Sequence, residues 1–186
     1  MKRVLVIGSG GAGKSTFAAE LARHTGLPIV HLDALYWNPG WIPSTPERWA
    51  AIVDRCLEGQ AWIQDGNYGG TLTRRLHACD TVVFLDLPRA VCLWRVVWRR
   101  WQFRRTVRPG LPDGCPERLT GSFLWWVWRY PVDRRPGILR QLDALGPEQR
   151  AIRLRSASEV RNFLASLASD QEHVLRPEEK NRIGPH

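Results

Sequence analysis

The sequence predicts a doubly wound α/β domain, a parallel sheet covered by helices on both faces. Three observations lead there. Short apolar runs alternate with segments of helical period, the first run ends in a glycine-rich turn that opens a helix, and the connections are short. With 186 residues, 44% of them hydrophobic, the chain is long enough for one domain with its own core.

Residues 3–7, Arg-Val-Leu-Val-Ile, show no alternation, the mark of a central strand buried on both faces. Gly8 to Gly13 form the turn, and Lys14 to His24 turn helical, with Phe17 and Leu21 on one side. Gly26-Leu27-Pro28 stops that helix before a second strand, Ile29 to Leu32, and residues 33–46 read as a loop. A helix at 47–58 precedes a third strand, Ala61 to Gln64. A helix at 72–78 precedes a fourth strand, Thr81 to Leu85. A long helix follows from Arg89 to Phe103, then a Pro/Gly-rich stretch at 109–116 and an aromatic helix at 117–130. A helix at 136–145, a fifth strand at 150–154 and a last helix at 157–167 complete residues 1–169, and residues 170–186 read as a polar tail.

Composition narrows the function classes. No apolar run approaches the roughly 20 residues needed to span a bilayer, and Met1-Lys2-Arg3 leads straight into the first strand without a signal-like core. A cytoplasmic protein with no membrane partner is expected. Cys56, Cys79, Cys92 and Cys115 lack metal-site spacing and read as reduced thiols, and the five His residues are too scattered for a metal cluster. The net charge is +9. Of the 27 Lys and Arg residues only Lys2, Lys14 and Lys180 are lysines, the remaining 24 being arginine, the planar partner of phosphate. An anionic ligand and a plain compositional bias explain that equally well until position decides.

The glycine-rich turn decides the class. Gly8 to Ser15 reads G-S-G-G-A-G-K-S, a full match to the phosphate-binding G-x-x-x-x-G-K-[ST] pattern between a strand and a helix. Successive backbone N–H groups at a helix N-terminus cradle an anion, Lys14 reaches the β/γ-phosphates and Ser15 offers a hydroxyl to Mg²⁺. ATP is the expected nucleotide, on Gly8, Gly10, Gly11, Ala12, Gly13, Lys14, Ser15 and Thr16. No Asn-Lys-x-Asp motif marks a GTPase. No acidic pair ends a strand as in motor ATPases, and no Leu-Ser-Gly-Gly-Gln marks a transporter. A nucleoside- or nucleotide-kinase-like P-loop architecture remains, a three-layer α/β/α domain with five parallel strands.

Arginine placement agrees. Arg95 and Arg99 lie four residues apart on one helix face, and Arg100, Arg104, Arg105 and Arg108 lead into the Pro/Gly-rich stretch. Such a segment, about 99–118, suits a lid closing over transferring phosphates. Trp94, Trp98 and Trp101 form the neighbouring stripe and read as core. Asp33 ends strand two on the ligand side of the sheet, where a carboxylate accepts or orients an acceptor hydroxyl, or else caps a helix or turn through nearby backbone. Asp86 reads as a helix cap or sheet-end lining. Arg134 and Arg135 read equally as phosphate ligands or a surface pair, and Ser156 and Ser158 as adenine wrap or helix cap.

The segments G-S-G-G-A-G-K-S-T, H-L-D-A-L-Y-W-N-P-G-W, D-G-N-Y, V-F-L-D-L-P-R-A-V-C-L-W-R-V-V-W-R-R, G-C-P-E-R-L and F-L-W-W-V-W-R-Y-P span about residues 3–136. In them the chain resembles the DNA topology modulation protein (FlaR-like) family of small P-loop ATPases, themselves similar to adenylate kinase. The resemblance implies that Asp65, in Asp-Gly-Asn-Tyr, orients Mg²⁺ through water, and that Arg95 and Arg99 touch adenine and phosphates. Tyr68 and Gly69 depart from the Pro-Arg of adenylate kinases, so their nucleoside monophosphate site is not implied.

The resulting expectation is a Mg²⁺-dependent kinase that passes the ATP γ-phosphate to a nucleoside, nucleotide or other hydroxyl- or phosphate-bearing metabolite. Lys14, Asp33, Asp65 and Arg99 would be catalytic, and Ser15 and Asp65 would hold the metal. A nucleic-acid-associated or regulatory ATPase is the alternative.

Overall fold

The computed structural model of the chain describes residues 1–103, 110–112, 114–116 and 118–174, with side chains through 169. Five parallel strands form the sheet: β1 (Arg3–Gly8), β2 (Ile29–His31), β5 (Trp62–Asp65), β6 (Thr81–Leu85) and β7 (Arg150–Leu154), in the order β2-β5-β1-β6-β7. A two-residue-per-strand antiparallel hairpin, β3 (Trp37–Asn38) with β4 (Ile42–Pro43), stands apart from it. The helices are α1 (Lys14–Thr25), α2 (Leu32–Tyr36), α3 (Pro46–Leu57), α4 (Gly69–Ala78), α5 (Arg89–Gln102), α6 (Gly121–Asp133), α7 (Arg135–Asp143) and α8 (Ala157–Val174). The five strands and α/β/α layering match the expectation.

The unalternating apolar strands are explained by burial on two sides. Val4 and Val6 of β1 and Val83 and Leu85 of β6 face a core shared with Phe17 and Leu21 of α1, Cys92 and Val96 of α5 and Phe163 of α8. Leu5 and Ile7, with Val82 and Phe84, face the opposite core of Leu72 and Leu76 of α4 and Ile138 and Leu142 of α7. Helix α6 straddles the layers, giving Val127 to the first core and Tyr130 to the second. A smaller cluster, Leu32, Trp49 and Val53, anchors α2 and α3.

The strand order places the site. Chain order reverses around β1, so β1 and β5 diverge to opposite helices at their carboxyl ends, the crevice where ligands bind in such sheets. Parallel register aligns Val6 with Asp65 and His31 with Asp65, bringing the ends of β1, β2 and β5 level.

Several local expectations are corrected. Residues 33–46, read as a loop, carry α2 and the β3–β4 hairpin, because Leu32 is pulled into the third core and Gly40 and Trp41 take left-handed φ of 80° and 67° to turn the chain. The aromatic helix begins at Gly121, where the Thr120 hydroxyl accepts from the Phe123 N–H (3.2 Å), and runs past Pro131 to Asp133. Helix α4 begins at Gly69 rather than residue 72, and α8 continues to Val174, into the stretch read as a tail.

One further reading is overturned, and of the two readings of Asp86 the sheet-end one holds. Trp94, Trp98 and Trp101 are exposed, because α5 turns Cys92 and Val96 to the core instead. Asp86 caps no helix; it pairs with Arg153 (2.6 Å) and with Arg135 (3.0 Å), tying β6 to β7 and to the start of α7. Arg135 is thereby occupied structurally, and Ser156 caps α8, its hydroxyl accepting from the Glu159 N–H (3.1 Å).

Candidate active site

A cavity of about 930 Å³ opens at the carboxyl end of the sheet. Its floor is the turn between β1 and α1. Gly13, the residue before α1, has a φ of 92°, a conformation that costs glycine little and aims the first helical N–H groups into the cavity. Gly11, φ 77°, presses against α5, where a Cβ would lie 2.2 Å from the Cys92 carbonyl oxygen. The turn is therefore fixed by its neighbours rather than merely permitted. Gly10, Gly11, Gly13, Lys14, Ser15 and Thr16 line the cavity. Gly8 and Ala12 are buried behind it, and Ala12 offers its carbonyl oxygen to Arg95 (3.3 Å). Lys14 donates from Nζ to the carbonyl oxygens of Gly8 and Ser9, each at 3.0 Å, so its ammonium is held over the turn.

The second wall is the segment after β5. Asp65 is buried and its Oδ1 lies 2.9 Å from His31 Nδ1. Burial alone would raise the Asp65 pKa. The hydrogen bonds from His31 and Ser15 and the charges of His31 and Lys14 outweigh it and hold the carboxyl below the ordinary carboxylate range. Asn67 clamps the end of β1, its Oδ1 accepting from the Gly8 N–H (3.0 Å) and its Nδ2 donating to the Gly8 carbonyl (2.7 Å). Tyr68 has a φ of 38°, strained for a residue with a side chain, and its hydroxyl donates to Asp33 Oδ1 at 2.6 Å. Burial, and then the charge and hydrogen bond of Asp33, push the phenol pKa up, so it remains a donor.

What holds that strained segment is Arg75 of α4. Its guanidinium is fully buried and donates to the carbonyl oxygens of Gly66 (3.0 Å), Asn67 and Tyr68 (3.3 Å). Burial pushes its pKa down to about 10, which leaves it charged at neutral pH.

The remaining walls are aromatic and cationic. Arg95 and Arg99 reach the cavity from α5, with Trp98 and Gln102, as their four-residue spacing implies. Trp37 and Trp41 enter from the hairpin, their rings 5.3 Å apart and edge-on. The hairpin is fastened to the chain that precedes α6. The Gly40 N–H donates to the Gly114 carbonyl (2.9 Å), Trp41 Nε1 to the Pro116 carbonyl (2.9 Å), and the buried Cys115 thiol to the Asn38 carbonyl (3.2 Å). The far part of the expected lid thus has a fixed footing, and Arg118 joins the cavity lining. Arg104, Arg105 and Arg108 lie outside the described residues.

Every expected site residue except Gly8 and Ala12 lines or directly borders this one space: Asp33, Arg95, Arg99 and the Lys14–Thr16 run line it, and Asp65 touches Ser15 and His31 at its edge. Sequence reasoning missed His31, Asn67 and Arg75. His31 could be found only from its register beside Asp65, and Arg75 only from its burial; Asn67, two residues past Asp65 in the quoted Asp-Gly-Asn-Tyr, was the most discoverable.

No protein-family model matches the chain, and no curated protein matches it in sequence. Among solved structures it is similar to shikimate kinase from Acinetobacter baumannii in complex with shikimate, at 14% identity, with 94% of each chain covered and a TM-score of 0.55. Shikimate kinase from Bacteroides thetaiotaomicron is 16% identical, with 92% of this chain and 98% of that one covered and a TM-score of 0.53. A protein from Chloroflexus aurantiacus j-10-fl with a provisional kinase assignment is 18% identical, covering 91% of this chain and 98% of its own, with a TM-score of 0.53. What these likenesses share with the chain is the fold.

Proposed function

We propose that the chain is a phosphotransferase that moves the γ-phosphoryl group of ATP to a small molecule. One observation carries the reading. The anion cradle at Gly13 to Ser15, the guanidinium groups of Arg95 and Arg99 and the carboxylate of Asp33 all face a single cavity of about 930 Å³, at the upper end of the range for small-molecule sites.

The residues fit the group they would hold. Positive-φ glycine at a helix start, a lysine and two arginines are donors without acceptors, which is what a polyphosphate requires. Ser15, hydrogen-bonded to Asp65, supplies hard oxygen donors of the kind Mg²⁺ takes with phosphate and water. When bound, Mg²⁺ would neutralise charge on the β- and γ-phosphates.

Asp33 accepts the proton of the acceptor hydroxyl as that oxygen bonds to the γ-phosphorus. The bond from the γ-phosphorus to the β–γ bridging oxygen breaks and ADP leaves with the electron pair. Tyr68 holds Asp33 from one side, and Lys14, Arg95 and Arg99 meet the charge that spreads over the transferring group. The aromatic walls, Trp37, Trp41 and Trp98, exclude water from the transfer. The finer resemblance to topology modulation proteins supports the alternative of a DNA-stimulated or slow regulatory ATPase.

The test is ADP release across a panel of nucleosides, nucleotides, sugars, hydroxy acids and DNA. A small acceptor should stimulate turnover, and Asp33→Asn should lose about 100-fold of that stimulation with ATP affinity unchanged. Stimulation by DNA alone, or slow release that no compound changes, would favour the alternative.

A further inference from the structure

Helices α5 and α6 leave outward a face that no interior contact explains. On α5, Val91 (37% exposed), Trp94 (62%), Val97 (49%), Trp98 (50%) and Trp101 (59%) stand in solvent. On α6, Trp125 (63%), Trp128 (40%) and Val132 (57%) do the same. Trp94 stacks on Trp98 (5.9 Å, 10° between planes) and Trp98 tilts against Trp101 (5.0 Å), so the first stripe is continuous. The Arg89 guanidinium lies 3.7 Å over the Trp128 ring and joins the two helices. The exposed tryptophan surface alone is on the order of 500 Å², in the range of the largest apolar patch on a monomer and usually functional at that size.

Among the described residues of α5 the charge beside this face is positive. The helix has no acidic residue, and while Arg95 and Arg99 line the cavity, Arg89 and Arg100 are left for this face. The sole acid of α6, Asp133, is taken by Arg129 through two hydrogen bonds (3.1 and 2.7 Å). Tryptophan, aliphatic and arginine side chains together, with the one acid of α6 paired, suit the interface of an anionic bilayer: the indoles sit at headgroup level, the valines reach the acyl boundary and the Arg89 and Arg100 guanidinium groups meet lipid phosphate. A second copy of the chain would bring Arg89 and Arg100 against their own kind, the one acid of α6 being already taken by Arg129. A nucleic acid would use the indoles and arginines but gains nothing from Val91, Val97 and Val132, which offer bases no ring to stack on.

We propose that the α5–α6 face docks the protein on an anionic phospholipid surface. No helix among the described residues is long and apolar enough to cross a membrane, so the attachment is peripheral. This revises the expectation of no membrane partner, which rested on the absence of a span. Because Arg95, Arg99 and Trp98 of the same helix line the cavity, the docked face adjoins the mouth of the site.

The experiment is sedimentation of the full chain with vesicles of equimolar phosphatidylglycerol and phosphatidylcholine, or of phosphatidylcholine alone, with tryptophan fluorescence and quenching by brominated lipid. Partition to the anionic vesicles should be roughly tenfold stronger or more, with a blue shift and quenching. Trp94→Ala with Trp125→Ala, neither of which lines the cavity, should lose most of the binding and keep nucleotide affinity. Equal partition to both vesicles, no partition, or a double variant that binds unchanged would overturn the proposal. So would quenching by single-stranded DNA without vesicle binding, or a concentration-dependent dimer that buries the same tryptophans.

Discussion

Replacing Arg75 by Met removes the guanidinium while roughly keeping volume, and its effect can be worked from three hydrogen bonds. The carbonyl oxygens of Gly66 and Asn67 would lose their donor, the first in a buried and the second in a part-buried setting, whereas that of Tyr68 still accepts from the Thr71 N–H and hydroxyl. Each unsatisfied acceptor costs about 1–3 kcal/mol, so the gross loss is roughly 2–6 kcal/mol. Against it stands the release from burying a charge, several kcal/mol, the same burial that lowers the Arg75 pKa. The net destabilisation is therefore about 1–3 kcal/mol, and at roughly 2–4 °C per kcal/mol for a chain of this size the Tm should fall by about 2–12 °C. The local effect should exceed the global one. Residues 65–68 carry Asp65, the Asn67 clamp on Gly8 and the Tyr68 bond to Asp33, and without Arg75 the left-handed Tyr68 has little to hold it. Turnover measured well below the Tm should drop about 10- to 100-fold, because misplacement by an ångström is enough for that. Thermal melts and ADP release on the purified variant provide both numbers. A variant with unchanged Tm and unchanged turnover would refute the view that Arg75 builds the site.

Lys14→Ala should abolish phosphoryl transfer with little change in Tm, since the side chain serves the turn and not the core; full activity would remove the turn from the mechanism. Asp65→Asn should weaken Mg²⁺-dependent turnover far more than Mg²⁺-free nucleotide binding, read by titrating metal against fixed ATP. The Asp65 carboxyl titrates below its unfolded value. Its contribution to stability is thus complete above about pH 4 and disappears as pH falls through the folded pKa, so acid unfolding of Asp65→Asn should lose part of the wild-type slope in that window. Gly11→Ala should destabilise by more than about 2 kcal/mol, because its Cβ would meet the Cys92 carbonyl at 2.2 Å and its φ is 77°; urea melts test this.

The local grammar of the chain was enough for the strands, the anion-binding turn and the Arg95–Arg99 pair. An apolar run of five residues, a glycine-lysine-serine spacing and a four-residue helical repeat are each decided by neighbours in sequence. Tertiary structure decided the rest. His31 meets Asp65 only because β2 pairs with β5 in that register, and Asp33 meets Tyr68 across 35 positions of chain. The periodicity of α5 revealed a tryptophan stripe but not which stripe faces the sheet, and Cys92 and Val96 take the core where Gly11 leaves room for the Cys92 backbone and the Val96 side chain. Arg75 is the sharpest case. An arginine in a helix reads as surface, and only the convergence of three backbone carbonyls from another segment makes its burial tolerable.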